Sequence, residues 1–146
     1  MRVEDVPAEA THDLRRRVLR GSRPDAVVVF PEDRRAGAFH LAVRDRGDAI
    51  RAVASFSPEP TPYRPERTAV RLRGMAVDWP FQHHGLGRLL VTTVVDRLRA
   101  VEVDVLWCNA RDSAGGFYAR FGFEVVGDGF VLPESGIAHH VMVLDL

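Results

Sequence analysis

A strand that passes through a short glycine turn directly into a long helix constrains this chain more than any other feature. Residues 67–77 alternate polar and apolar side chains and predict a strand. Residues 86–99 carry one apolar stripe at helical spacing and predict an amphipathic helix. The turn between them reads Gln-His-His-Gly-Leu-Gly over residues 82–87. Because the first N–H groups of a helix have no intrahelical partner and the helix dipole adds positive charge there, this turn predicts an anion site.

Two common phosphate-binding loops do not fit this turn. A dinucleotide fingerprint needs a third glycine three residues after Gly87, and that position holds Leu90. A nucleoside triphosphate loop needs a lysine, but all 20 basic residues are arginine. Residues 64–99 carry seven arginines against three acidic residues, whereas the whole chain has a net charge of zero. The balanced total argues against nucleic-acid binding, and the basic middle third is where an anionic ligand is expected.

The rest of the chain predicts one mixed α/β domain over residues 1–146, a length typical of a single domain. Further predicted elements are a helix over 7–20, a hairpin over 38–45 and 49–57, a strand over 104–108, a helix over 113–120, and strands over 123–126 and 137–144. Gly74 interrupts the alternation of its strand and predicts a β-bulge. The proline-rich residues 57–65 predict an ordered surface loop. Four arginines of the first helix are interpreted as a solvated face: Arg15, Arg16, Arg17 and Arg20.

Composition argues against several classes of protein. Cys108 is the single cysteine, which excludes an intrachain disulfide and a multi-cysteine zinc site, and the histidine spacings match no metal motif. No secretion-like segment and no run of 18 apolar residues is present, so neither secretion nor a membrane span is expected and the cytoplasm is the simplest compartment. The Arg-Gly-Asp sequence at 46–48 falls in the predicted hairpin turn, which explains these residues without an adhesion role.

A second group of residues follows the next predicted strand. Asn109 lies just past the end of that strand, and Tyr118 lies on the short helix that comes after it. Adjacent parallel strands that both end beside helix N-termini form a crevice, and ligands of open α/β sheets usually bind in such a crevice. The glycine turn and the Asn109–Tyr118 segment are therefore expected to form one site.

These two segments resemble the signature motifs of the GNAT superfamily of N-acetyltransferases. Gln82, Gly85 and Gly87 match its Arg/Gln-x-x-Gly-x-Gly/Ala turn, and Met75-Ala76-Val77 matches the end of the preceding strand. The second motif is matched at the expected spacing by Asn109, Ala114, Phe117-Tyr118 and Gly122-Phe123. The resemblance is strong over residues 68–126, and the N-terminal third matches in element order only.

The resemblance implies a central mixed β-sheet that is flanked by helices and splayed between its fourth and fifth strands. It also implies that the protein transfers an acetyl group from acetyl-CoA to the primary amine of a small molecule, peptide or protein. Tyr118 would protonate the leaving thiolate. The residues implied in binding acetyl-CoA are Met75, Ala76, Val77, Gln82, His83, His84, Gly85, Leu86, Gly87, Arg88 and Asn109. Dimers are common in the family, so a homodimer is a further expectation, although no exposed stripe predicts one.

The chain departs from the family at the expected general base. Many relatives carry a glutamate on the fourth strand, where this chain has Arg71-Leu72-Arg73-Gly74. The two arginines either face solvent or hold a carboxylate or phosphate of the acceptor. Base candidates are His139, His140, Glu59 and Glu134, and His139 is preferred; it and His140 should point to opposite faces of one strand. The missing carboxylate also keeps open a non-catalytic acyl-CoA-binding or sensing module, against which Tyr118 argues.

Overall fold

Seven strands form one mixed sheet in the order β1-β2-β3-β4-β5-β7-β6 in the computed structural model, which describes all 146 residues. The strands are β1 (Arg2–Val6), β2 (Phe39–Arg44), β3 (Ile50–Pro58), β4 (Ala69–Val77), β5 (Val105–Arg111), β6 (Glu124–Val131) and β7 (Ala138–Asp145). Only β4 and β5 pair in parallel, because a helix connects them, and all other neighbours are antiparallel. The mixed sheet agrees with the predicted fold class.

Three helical segments cover the two faces of the sheet. Helix α1 spans residues 8–19, α2 is Leu86–Ala100 and α3 is Gly115–Ala119; short 3₁₀ turns lie at Pro31–Arg34, Trp79–Phe81 and Asp112–Ala114. The apolar stripe of α2 packs with α3 on one face of the sheet, which we call the α2 side. Leu14 of α1 packs on the opposite face, the α1 side, against Val53 and Ala76. No helix is long and apolar enough to cross a membrane.

The N-terminal third differs most from the sequence prediction. Strand β1 was not predicted, because only Val6 among its five residues is buried and its edge position imposes no clear alternation. The predicted helix over 7–20 is present as α1 but is irregular, with a 3₁₀ turn at Ala8–Thr11 and a π-helical turn at Arg15–Leu19. The interpretation of its arginines as a solvated face is wrong for Arg15, which is fully buried.

The sheet opens between β4 and β5, as the resemblance implied. The two strands pair from Ala69 and Val105 to Leu72 and Cys108 and no further. Beyond that point β4 stays paired with β3 to Val77, and β5 stays paired with β7 to its last residue. A gap that widens toward the carboxyl ends of both strands follows directly from this loss of register.

Gly74 forms the predicted bulge at the start of this gap. Arg73 pairs with Ser55 and Ala76 pairs with Val53, so Gly74 and Met75 stand opposite one residue of β3. The φ of Gly74 is +60°, a left-handed conformation that residues with a Cβ seldom adopt. The bulge bends β4 away from β5 just after their last pair, Leu72 and Cys108.

Candidate active site

The main cleft of the molecule lies in the gap between β4 and β5 and has a volume of about 1330 Å³. It extends through the sheet, since residues of both the α1 side and the α2 side line it. Every predicted site residue except His84 lines the cleft: Met75, Ala76, Val77, Gln82, His83, Gly85, Leu86, Gly87, Arg88, Asn109, Tyr118 and His139. His84 is exposed on the turn outside it.

The last part of β4 presents backbone groups to the cleft. Residues 73–77 pair with β3 on one edge but have lost β5 on the other. Because backbone N–H and C=O groups of a strand alternate between its two edges, part of this set faces the gap. Backbone N–H and C=O groups that are not paired with a neighbouring strand need other hydrogen-bond partners, so this edge can hydrogen-bond an extended ligand.

The glycine turn aims the N-terminus of α2 at the same gap. The φ angles of His83 and Gly85 are +63° and +85°, and Gly85 caps the helix. The side-chain amide of Gln82 donates a hydrogen bond to the carbonyl oxygen of Val77 at 3.0 Å and ties the turn to β4. Arg88, in the first helical turn, is exposed and forms no ion pair. These features are typical of a helix N-terminus that binds an anion, and the anion site stays a prediction.

Gly87 has a packing role that the sequence did not reveal. A Cβ at this position would lie 3.1 Å from the ring of Phe117 and 3.6 Å from the sulfur of Met75. The absence of a side chain therefore lets α2 approach α3 closely.

Tyr118 lies on α3 and is buried on the α2 side of the cleft, where it touches Phe117 and Phe123 edge-on. Burial is the main cause that raises the pKa of Tyr118 well above its ordinary value, and the adjacent Cys108 adds to it. The phenol therefore keeps its proton across the neutral range and can serve as a general acid but not as a general base. Burial also raises the pKa of Cys108 to about 12, so this thiol is a poor nucleophile at neutral pH.

His139 is buried on β7 and lines the cleft from the α1 side. Its Nδ1 lies 2.8 Å from the carbonyl oxygen of Ile137, which can only accept a hydrogen bond, so Nδ1 carries the proton. The neutral ring then has its lone pair on Nε2. Phe130 stacks on the imidazole at a centroid distance of 5.7 Å and fixes its plane.

The strand register places His139 and Tyr118 on opposite sides of the gap. His139 lies opposite Arg111, and the strand alternation puts it on the same face as Trp107. Tyr118 belongs to the core that α2 forms with the other face. The hydroxyl of Tyr118 and the imidazole of His139 therefore approach the same cleft from its two sides.

Comparison with known proteins agrees with this architecture. The family model of the acetyltransferase (GNAT) domain matches residues 25–146. This chain belongs to the GNAT family. An uncharacterized N-acetyltransferase of Bacillus subtilis (strain 168), YitI, is 34% identical over 143 residues, covering 98% of this chain and 94% of that protein. Family membership makes the protein an acyltransferase of the N-acetyltransferase class.

Two solved structures have the same fold. A putative N-acetyltransferase from Lactobacillus plantarum superposes with a TM-score of 0.80 at 17% identity, covering 99% of this chain and 97% of that one. An aminoglycoside 6'-N-acetyltransferase complexed with coenzyme A superposes with a TM-score of 0.76 at 12% identity, with the same coverage. At these identities the similarity concerns the fold alone.

Arg71 and Arg73 occupy the β4 positions at which many GNAT relatives carry the carboxylate. They do not face solvent: both side chains are largely buried on the α1 side, and both line the cleft. Each donates a hydrogen bond to Glu59, Arg71 at 3.0 Å and Arg73 at 2.7 Å. Arg35 pairs with the same carboxylate. One glutamate thus holds three guanidinium groups.

The other base candidates are less suited than His139. Burial alone would raise the pKa of Glu59, but hydrogen bonds from Arg73, Arg35 and Arg71 outweigh it and lower the pKa to about 2, which makes Glu59 a weak base. His140 points to the other face of β7, as expected, and its Nδ1 lies 2.7 Å from Asp112 outside the cleft. Glu134 is exposed at the edge of the cleft.

Arg15 supports the site in a way that no sequence signal indicates. Its guanidinium donates to both oxygens of Asp33, to Ser55 and to the carbonyl of Val28 at 2.7–3.0 Å. Its Nε lies 3.2 Å from the position of a Cβ built on Gly74. The arginine therefore packs directly beneath the bulge that opens the gap. Its partners are spread from residue 28 to residue 55, so only the folded chain brings them together.

Proposed function

We propose that the chain, acting as one GNAT-like domain over residues 1–146, transfers an acetyl group from acetyl-CoA to a primary amine. The observation that carries this proposal is the cleft at the β4–β5 gap. It combines an unpaired strand edge, a helix N-terminus and a buried phenol that keeps its proton. Each of these groups suits a different part of a thioester of coenzyme A.

The residues of the α2 side fit the donor. The N-terminus of α2 and the exposed Arg88 would hold the pyrophosphate, since anions are stabilised by unpaired N–H groups and the helix dipole. The free edge of Met75, Ala76 and Val77 would hydrogen-bond the pantetheine arm and the acetyl carbonyl. Asn109 is half-buried just beyond the β4–β5 pairing; strand alternation places it on the α1 face with Trp107, and it would reach the pantetheine across the gap. Backbone donors at the carbonyl oxygen would stabilise the negative charge that develops there during attack.

The reaction needs one proton to leave the amine and one to reach the sulfur. The amine lone pair forms the new N–C bond, the C–S bond breaks, and the electron pair of that bond stays on sulfur. Nε2 of His139 takes the proton from nitrogen, directly or through a water, and the Tyr118 hydroxyl supplies the proton to the thiolate. The products are the N-acetyl amine and the free thiol.

Thiol release with a panel of primary amines tests the proposal, together with the melting temperature with and without acetyl-CoA. Acetyl-CoA should raise the melting temperature because it binds the folded chain. His139→Gln should lower kcat by roughly 10–100-fold through loss of the base. His140→Gln, on the adjacent residue outside the cleft, is the matched control and should leave kcat unchanged.

A non-catalytic acyl-CoA-binding module is the second candidate, and the arginines in place of the β4 carboxylate favour it. A thermal shift with acetyl-CoA but no amine-dependent thiol release with any amine would support the binding module. No thermal shift at all would contradict both candidates.

A further inference from the structure

We propose that the acceptor is an amine that carries a carboxylate, and that Arg73 and Arg71 bind this carboxylate on the α1 side of the cleft. This inference deepens the proposed acetyltransfer and rests on it. The two arginines stand on β4, just before the backbone at which the acetyl group is expected. Since a strand rises about 3.3 Å per residue, Arg73 is only about 7 Å along the strand from Met75.

The charge of this region is not balanced within the protein. Arg71, Arg73 and Arg35 share the single carboxylate of Glu59. The next carboxylate, that of Glu32, lies 3.7 Å from Arg73, which is longer than a good hydrogen bond. Arg35 is exposed to water, but Arg71 and Arg73 are largely buried and share the charge of one carboxylate with it. Charge that is incompletely compensated away from water is unfavourable, so an entering anion is stabilised there.

The guanidinium groups also have free hydrogen-bonding capacity. Nε of Arg71 is buried and has no partner in the protein. Arg73 donates one hydrogen bond to Glu59 and one to Ser57, although a guanidinium has five N–H donors. Burial, and next the charge of Arg73, lower the pKa of Arg71, as expected where cations are crowded. A planar fork of donors matches the two oxygens of a carboxylate.

A carboxylate fits better than a phosphate group because of the size of the charge. The carboxylates of Glu32 and Glu59 lie beside the arginines, and they repel a phosphate dianion more strongly than a carboxylate monoanion. The acceptor class is therefore a short amino acid-like molecule, whose amine reaches His139 while its carboxylate contacts Arg73.

The first test uses the wild-type protein and pairs of acceptors that have the same amino group but differ in carrying a carboxylate or a carboxamide. Each common L-amino acid is assayed beside its carboxamide, and phosphoethanolamine represents phosphate-bearing amines. The amine of the carboxamide is less basic than the amine of the amino acid, so a larger fraction of it is unprotonated at neutral pH. Intrinsic reactivity alone therefore favours the carboxamide. We expect at least one amino acid to be acetylated with kcat/KM roughly tenfold or more above its amide, the size of a charge-assisted hydrogen bond.

Variants then assign the preference to the arginines. Arg73→Gln should raise KM for the amino acid roughly tenfold, with a smaller change in kcat, and should alter the amide less than about twofold. Arg64→Gln is the matched control, because Arg64 also bridges two carboxylates, Asp145 and Glu124, but lies outside the cleft. Arg64→Gln should leave KM and kcat unchanged for both the amino acid and its amide.

Several results would overturn the carboxylate site. These are equal or better use of the amide, a preference for phosphoethanolamine, equal effects of Arg73→Gln on both acceptors, or acetyl-CoA binding with no amino acid acetylated. The thermal shift with acetyl-CoA does not depend on the acceptor. Its absence would overturn the acetyltransferase proposal itself, and the carboxylate site with it.

Discussion

The two sides of the cleft are built on different principles. The α2 side consists mainly of backbone groups and of residues close together in sequence, from Met75 to Arg88. The α1 side includes His139 and the long side chains of Arg71 and Arg73, which Glu59 holds from behind the cleft lining. The Arg15–Asp33 pair lies beneath the bulge on the same side. A backbone site suits a ligand common to a whole family, whereas a side-chain site can change with each substitution. We therefore expect the donor to bind on the α2 side and the acceptor on the α1 side.

The most severe test of this comparison is the buried charge beneath the bulge. Arg15→Met should destabilise the protein by about 3–5 kcal/mol, because it leaves Asp33 buried without its partner. Denaturant unfolding measures this change. Arg16→Met, on the next residue of the same helical turn but with only long contacts to backbone carbonyls, should cost less than about 1 kcal/mol. Equal losses for the two variants would contradict a structural role for the Arg15 network.

Acid should weaken the α1 side through Glu59. The pKa of Glu59 is about 2 in the folded protein against an ordinary value of 4.5. Its contribution is therefore complete above pH 4.5 and is lost as the pH falls from there toward 2, a total of about 3 kcal/mol. Unfolding free energies of wild type and Glu59→Gln between pH 6 and 2.5 measure it.

The Glu59→Gln variant should be less stable at pH 6 and should lose less stability on acidification than wild type. Glu134→Gln is the control, because Glu134 is exposed and forms no ion pair. Parallel pH profiles for wild type and Glu59→Gln would show that the three arginines do not depend on this carboxylate.

Tyr118→Phe tests the α2 side. It should lower kcat by roughly 10–100-fold with little change in KM for acetyl-CoA, because it removes one proton donor to the leaving thiolate. The effect should shrink with an acyl donor whose thiol is more acidic. Tyr63→Phe is the natural control, since Tyr63 is the other of two tyrosines and lies outside the cleft. Unchanged turnover when chemistry limits the rate would assign Tyr118 to the core alone.

A smaller effect is expected from the charge at the α2 N-terminus. Arg88→Glu should weaken acetyl-CoA binding by roughly 3–10-fold, because exposed charge pairs contribute about 1 kcal/mol or less each. The loss should diminish at high salt. Arg99→Glu, near the other end of α2, should leave affinity unchanged. A salt-independent loss would indicate a change in packing.

The sequence predicted the parts of the molecule that depend on local pattern. The bulge at Gly74, helix α2 and the hairpin of β2 and β3 are confirmed because each rests on glycine chemistry or on a short-range period. Strand β6 extends to Val131, beyond its predicted end at residue 126; Gly127 and Gly129 lie within it, where its pairing with β7 shifts register. A glycine can end a strand or form a bulge within it, and the pairing with the neighbouring strand determines which of the two occurs.

The sequence by itself determined the family motifs and, with them, the splayed sheet and the residues of the α2 side. Those motifs encode backbone conformation, which depends on each residue and its immediate neighbours. Only the tertiary structure decided that Arg15 is buried and that Arg71 and Arg73 converge on Glu59. These outcomes depend on which distant side chains supply compensating charge. A charge cannot be buried without a partner, and the sequence does not reveal which partner the fold brings near.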